Sequence, residues 1–126
     1  MSPLGRRVAR FNQLVTNRLT KPFARRLPGF GVVMHRGRAS GREYETPVNV
    51  FRAPGGYVFA LTYGRRADWV RNVVAAGGCD LLTRGRRVGL VAPEIFRDEG
   101  RNAVPPPVRL PLRLLGVADF LRLRTR

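Results

Sequence analysis

GVVMHRGRASGREYETPVNVFRAPGGYVFALTY, residues 31–63, reads as three strands joined by two tight turns. Gly31 to Arg38 reads as the first strand. Ala39-Ser40-Gly41-Arg42 is a turn, and Glu43 to Arg52 is a second strand with Tyr44, Val48 and Val50 on one side and Phe51 on the other. Ala53-Pro54-Gly55-Gly56 has the composition of a hairpin turn. Tyr57 to Tyr63 is a third strand, with Tyr57, Phe59, Leu61 and Tyr63 alternating onto one face. Connections this short make the meander antiparallel.

Outward from this meander the pattern changes. Upstream, Ser2 and Pro3 are a helix start, and Leu4, Val8, Phe11, Val15 and Leu19 recur at helical spacing. Arg6, Arg7, Arg10, Gln13, Asn17 and Lys21 occupy the other side, so residues 1–22 are expected to form a long basic amphipathic helix ending near Pro22. Its apolar side is expected to pack on the domain, the alternative being an anionic membrane surface with arginines on lipid phosphates. Downstream, Asp68 is read as the N-cap of a short helix with a Val70, Val73, Val74 stripe, stopped by Gly77-Gly78. Cys79 to Thr83 and Arg87 to Val91 are strands around Gly85, and Glu94 to Arg97 extends the sheet past Pro93. Residues 105–126 are expected to be a C-terminal helical segment, with a short helix over Val108 to Leu115 and a basic tail.

A sheet of six or seven mostly antiparallel strands with few helices closes into a small barrel to remove its edges. The expected class is therefore α+β, mainly β, in one domain of 126 residues. Cys79 is the only cysteine and His35 the only histidine, which leaves no disulfide and too few ligands for a zinc site. No Ser-His-Asp, phosphate-loop or H-E-x-x-H pattern is present. His35, mid-strand, is read as a structural histidine, and Cys79 as a small buried thiol.

Lys plus Arg number 24 against 8 Asp plus Glu, a formal charge of +16, and every cation but Lys21 is Arg. A genome rich in G and C raises Arg on its own, yet the net charge remains and implies an anionic partner: nucleic acid, a membrane surface or an anionic cofactor. No recognised nucleic-acid motif accompanies it, so nucleic acid is not the expected partner. The N-terminus has no apolar stretch of signal-peptide length, and the longest uncharged run, Ala53 to Gly64, is too short to span a bilayer. A cytoplasmic protein is expected, with a peripheral place on the inner face of the cell membrane as the alternative. Nothing in the residues sets an oligomeric state.

Six stretches resemble the deazaflavin-dependent nitroreductase family. They are Phe30-Gly31-Val32, Gly37-Arg38-Ala39-Ser40-Gly41-Arg42, Tyr44-Glu45-Thr46-Pro47-Val48-Asn49-Val50-Phe51, Tyr63-Gly64, Asp68-Trp69-Val70-Arg71-Asn72 and Ala75-Ala76-Gly77-Gly78. The likeness runs from about residue 8 to 122 in the family's order and spacing. It implies a split β-barrel and an oxidoreductase that passes a hydride from reduced coenzyme F-420 to a small-molecule acceptor, a quinone or a nitro-aromatic compound. F-420 is a deazaflavin with a phosphate and an oligoglutamate tail, an anionic partner suited to this chain. The cofactor carries the chemistry, and no catalytic acid or base is expected from the protein. FMN in the same barrel, a non-catalytic F-420 carrier and a basic nucleic-acid module are the alternatives.

The resemblance directs attention to particular residues. Arg38, Ser40, Gly41 and Arg42 make a corner whose backbone N–H groups and guanidinium groups suit a phosphate or carboxylate. Thr46, Pro47, Val48 and Asn49 stand where family members bring a strand beside the deazaflavin ring. Pro47 also implies an edge or a bulge, since it removes a ladder donor. Tyr63 and Gly64 end a strand at the same rim, and Arg65 and Arg66 precede a helix N-terminus that favours an anion. Trp69 is either a core anchor or a wall of the ring pocket, and the resemblance favours the wall. Arg71 and Asn72, off the valine stripe, are expected to face ligand or water. The chain departs from the family at Ala39, where Lys is common, and at Glu45, near which a base is common. The C-terminal tyrosines of the nitroreductases are missing from Val117-Ala118-Asp119-Phe120-Leu121.

Overall fold

The computed structural model describes residues 29–126, and in it six antiparallel strands close into a barrel. The strands are β1 (Phe30–Arg36), β2 (Glu43–Ala53), β3 (Gly56–Ala60), β4 (Gly78–Thr83), β5 (Arg86–Arg97) and β6 (Asp119–Thr125). Two helices, α1 (Asp68–Ala76) and α2 (Pro106–Leu114), complete the described chain. The long helix expected over residues 1–22 lies outside the described residues.

Around the barrel the order is β1-β2-β3-β6-β5-β4, with β4 pairing back onto β1. The meander β1-β2-β3 matches the sequence pattern. The closure does not follow from it. The expected basic tail is strand β6, which inserts between β3 and β5 and pairs with both. Phe120, Leu121 and Leu123 are fully buried there, so the arginines alternating with them, Arg122 and Arg124, hide a strand behind their charge. The expected strands before and after Pro93 are one strand, β5, with a register shift between Val91 and Glu94 and a positive φ at Ala92. Such a bulge bends a long strand so that its two halves serve different neighbours.

β3 is buried on both faces. Phe59 faces the barrel interior with Val33, Val50, Leu81, Leu90, Leu121 and Leu123. Val58 and Ala60 face outward and are covered by Leu112 of α2, with Val104, Val117 and Phe120. α1 plugs the interior cluster with Trp69, Val70 and Val73, whereas Val74 is exposed and leaves the stripe. Ala67, not Asp68, is the residue at the N-cap of α1, and no side chain caps the helix. Asp68 is the first helical residue instead. Gly77 closes the helix in the left-handed conformation, its N–H donating to the carbonyls of Val73 and Val74. Among the described residues no helix is long and apolar enough to cross a membrane.

Candidate functional site

The hairpin of β1 and β2 reaches past the barrel rim, and α1 begins beside it. Between them lies a cleft of about 900 Å³. The hairpin contributes His35, the turn Gly37–Ser40 and the segment Tyr44–Pro47. Tyr63, Ala67, Asp68, Trp69 and Asn72 form the opposite side. β2 pairs with β1 throughout this stretch but with β3 only from Asn49 onward. Pro47 therefore sits on a locally free edge and interrupts no ladder, and the β1–β2 register passes it without a bulge.

Trp69 is both a core anchor and a cleft wall. It is buried, packs on Phe59 with ring centroids 5.8 Å apart, and still presents a surface to the cleft. Pro47 and Tyr63 add flat or aromatic surface, and Tyr44 stacks on His35 with centroids 5.7 Å apart. Burial pushes the Tyr63 phenol above its ordinary pKa, so the group is a neutral donor at neutral pH.

Arg38 is the one cation on the cleft wall among the described residues. It is held from below. Asn72 Oδ1 accepts from the Arg38 backbone N–H at 3.1 Å and from its guanidinium at 2.7 Å. Asp68 adds an exposed pairing with the guanidinium at 3.5 Å. Asn72 lines the cleft, but its amide is engaged within the protein on both sides, by Arg38 and by His35. It is 4% exposed and ties α1 to the hairpin. Its Nδ2 meets His35 Nδ1 at 3.1 Å, and His35 Nε2 meets Thr46 Oγ1 at 2.8 Å. Burial lowers the His35 pKa below 6.5, and the nearby Asp68 carboxylate only partly opposes this, so the imidazole is neutral.

The turn at residues 37–42 is less of an anion nest than its sequence suggests. Gly37 N–H donates to the Arg42 carbonyl, Gly41 N–H to the Gly37 carbonyl and Arg42 N–H to Ser40 Oγ. With Arg38 N–H engaged by Asn72, the Ala39 and Ser40 amides are the ones left without an internal acceptor among the described residues. Gly41 takes the left-handed conformation that closes the turn, φ +73°. Ser40 lines the cleft, whereas Gly41 and Arg42 lie outside its wall.

Several expected residues are elsewhere. Arg65 donates to Asp119 at 2.9 Å on the surface, and Arg66 and Arg71 are exposed away from the cleft. Gly64 forms a turn with φ +89°. Val48 and Asn49 line a small adjoining recess with Pro47, Tyr63 and Trp69, and Asn49 Nδ2 donates to the Gly29 carbonyl at 3.4 Å. The cluster at the helix N-terminus is thus reduced to Asp68, Trp69 and Arg38, the last paired with Asp68. Ala39 and Glu45, the two departures from the family pattern, both line the cleft.

Sequence patterning does not single out His35 or Tyr44 as site residues. The alternation of β1 puts His35 among core residues, and only the fold of the hairpin over α1 turns the ring to the cleft floor. A lone histidine two residues before a G-R turn is the one signal available. The site contains no metal cluster among the described residues, and the thiol of Cys79 is buried elsewhere with its pKa pushed up to about 12. The arrangement suits binding and orienting a flat ligand with an anionic substituent.

A family model described as F420H(2)-dependent quinone reductase matches residues 8–109. Among solved structures, a domain-swapped dimer superposes with TM-score 0.57 at 13% identity, covering 98% of this chain and 100% of that one. An F420 reductase gives TM-score 0.52 at 14% identity over 84% of this chain and 92% of that one. A protein of unknown function from Agrobacterium tumefaciens str. C58 gives 0.52 at 19% identity, covering 88% of this chain. The chain spans only 56% of that protein's length. At these identities the likeness establishes the barrel fold. No curated protein matches the chain.

Proposed function

The chain belongs to the F420H(2)-dependent quinone reductase family, and from that membership we propose that it binds reduced F-420 in the cleft between the β1–β2 hairpin and α1 and reduces a quinone-class acceptor there. The observation that carries this reading is the composition of the cleft wall. The G-R-x-S turn and the E-T-P strand segment, the motifs of the family resemblance, meet Trp69 across one cavity.

The residues present fit the cofactor. A tricyclic deazaflavin needs flat apolar surface, which Trp69 and Pro47 supply, and donors at its polar edge, which Thr46 and Tyr63 supply. Its anionic tail needs a fixed cation, which Arg38 supplies with Asn72 behind it. When bound, F-420 supplies a hydride from its ring carbon. The chain supplies orientation, a low-dielectric wall at Trp69 and a cation that stays in place. A quinone accepts a hydride at an electron-poor planar ring, the shape such a cleft admits beside a second flat ring. Nitro-aromatic compounds meet the same description, and turnover with each decides between them. A lipid-soluble acceptor would be met at a membrane surface, and +16 suits an anionic one; co-sedimentation with anionic vesicles tests this.

Titration of the protein with F-420, followed by quenching of Trp69, tests the proposal. Saturable binding with FMN much weaker, and F-420-dependent reduction of a soluble quinone, are the expected results. Absence of F-420 binding by the folded protein overturns it.

A further inference from the structure

The hydrogen bonds beneath the cleft have only one consistent direction. Asn72 Oδ1 faces two Arg38 donors, the backbone N–H at 3.1 Å and the guanidinium at 2.7 Å, so the amide cannot be reversed without setting donor against donor. Asn72 Nδ2 must then donate to His35 Nδ1, 3.1 Å away. The His35 ring is neutral and Nδ1 is an acceptor, so the proton is on Nε2. Nε2–H must donate to Thr46 Oγ1 at 2.8 Å. The Thr46 hydroxyl, having accepted, keeps its own proton, and the side chain stands on the cleft wall.

We propose that His35 is a positioning residue that fixes the Thr46 hydroxyl as a hydrogen-bond donor into the cleft, so that the site selects a ligand with a carbonyl or oxyanion at that edge. The relay runs from Arg38 through Asn72 and His35 to Thr46, and it links the cation that meets an anionic substituent to the donor that meets the ring. It rests on the function proposed above. A ligand whose facing atom is an N–H would have only the hydroxyl's second lone pair to meet, with the Thr46 proton turned out of the cleft and left unpaired, and so would bind more weakly than a carbonyl or oxyanion.

The test uses the full chain and F-420. Thr46→Val removes the hydroxyl, and Thr46→Ser keeps it. His35→Asn keeps an acceptor near Asn72 but offers nothing to Thr46, whereas His35→Gln can return an N–H toward it. Thr46→Val and His35→Asn are expected to weaken F-420 binding by a similar factor, roughly three- to tenfold, with the double variant no worse than either. Thr46→Ser and His35→Gln should bind near wild type. Nitrogen-15 spectra of the imidazole in the free protein should show Nε2 protonated and Nδ1 bare. An Nδ1–H tautomer, or wild-type affinity in both Thr46→Val and His35→Asn, overturns this inference while leaving the function in place. Wild-type affinity in His35→Asn alone assigns the hydroxyl's orientation to Thr46 itself and also overturns it. Failure of the wild-type chain to bind F-420 overturns the function and this inference together.

Discussion

Asn72 of α1 and Arg38 of the β1–β2 turn, 34 residues apart, are joined twice through a single oxygen, backbone N–H and guanidinium both donating to Oδ1. The bond fixes the turn's main chain and its cation at once, and it lies at a buried residue, where the low dielectric strengthens it. Asn72→Ala should therefore cost about 1–3 kcal/mol of stability, because it strands buried partners on Arg38 and His35. F-420 affinity should fall as well, since Arg38 loses its seat. Urea unfolding and Trp69 titration read the two effects separately. Wild-type values in both would show that the turn holds itself.

The cations of this chain are not equivalent toward an anion. Arg38→Ala should weaken F-420 binding by about ten- to a hundredfold, the range of a charge-assisted bond at a desolvated site. Arg65→Ala should change it by less than about twofold, because Arg65 is spent on Asp119 at an exposed position off the cleft. Equal losses in the two variants would point to nonspecific attraction by the net charge, and the salt dependence of binding would then be steep in both.

Acid should loosen the cleft floor. Burial holds the His35 pKa below 6.5, so the unfolded chain binds this proton more readily than the folded one. The stability contributed by neutral His35 is complete above about pH 6.5 and is lost as pH falls from there toward the lowered folded value. The slope is at most about 1.4 kcal/mol per pH unit for one proton. Protonation would also place an N–H at Nδ1 against the Asn72 amide. Unfolding free energies from pH 8 to 5 should show this decline, and His35→Gln should flatten it. An unchanged slope in that variant would assign the acid sensitivity to other groups.

Two glycines hold the barrel seams by their lack of a side chain. A Cβ at Gly56 would lie 2.0 Å from the Leu123 carbonyl oxygen, and one at Gly78 would lie 2.2 Å from that of Leu90. Both obstacles are backbone and cannot rotate away. Gly56→Ala and Gly78→Ala should each cost about 3 kcal/mol or more in thermal or urea unfolding. Gly85, with nothing within 4 Å but a φ of +77°, should cost about 1 kcal/mol as Ala, from backbone conformation alone.

Cys79 should be inert in the folded protein. Its thiol is 7% exposed and its pKa is pushed up to about 12, first by burial and then by Asp80. Alkylation at pH 8 should be slow natively and fast in denaturant. Rapid native modification would mean that β4 opens readily at its start.

The meander is legible in the sequence because its signals are local. Alternation over residues 43–52, glycines where φ is positive at Gly41 and Gly55, and the Gly77 stop are properties of a few adjacent residues. The motifs 37–42 and 44–51 are local in the same sense, and each contributes residues to the cleft wall. β6 is not legible in this way. Arg122 and Arg124 are chain neighbours of buried Leu121 and Leu123, and a stretch with this charge becomes a strand only because β3 and β5 each offer it an open edge. The arginines show the same division. Proximity to turns marks Arg38, Arg42, Arg65 and Arg66 alike, but pairing with Asn72 or Asp119 depends on residues far along the chain. Residue types and their short-range order set the family, the antiparallel strands and the excess of positive charge. Which cation faces the cleft, which strand closes the barrel and which way His35 donates were set by tertiary contacts, because each depends on a partner that short-range patterning cannot specify.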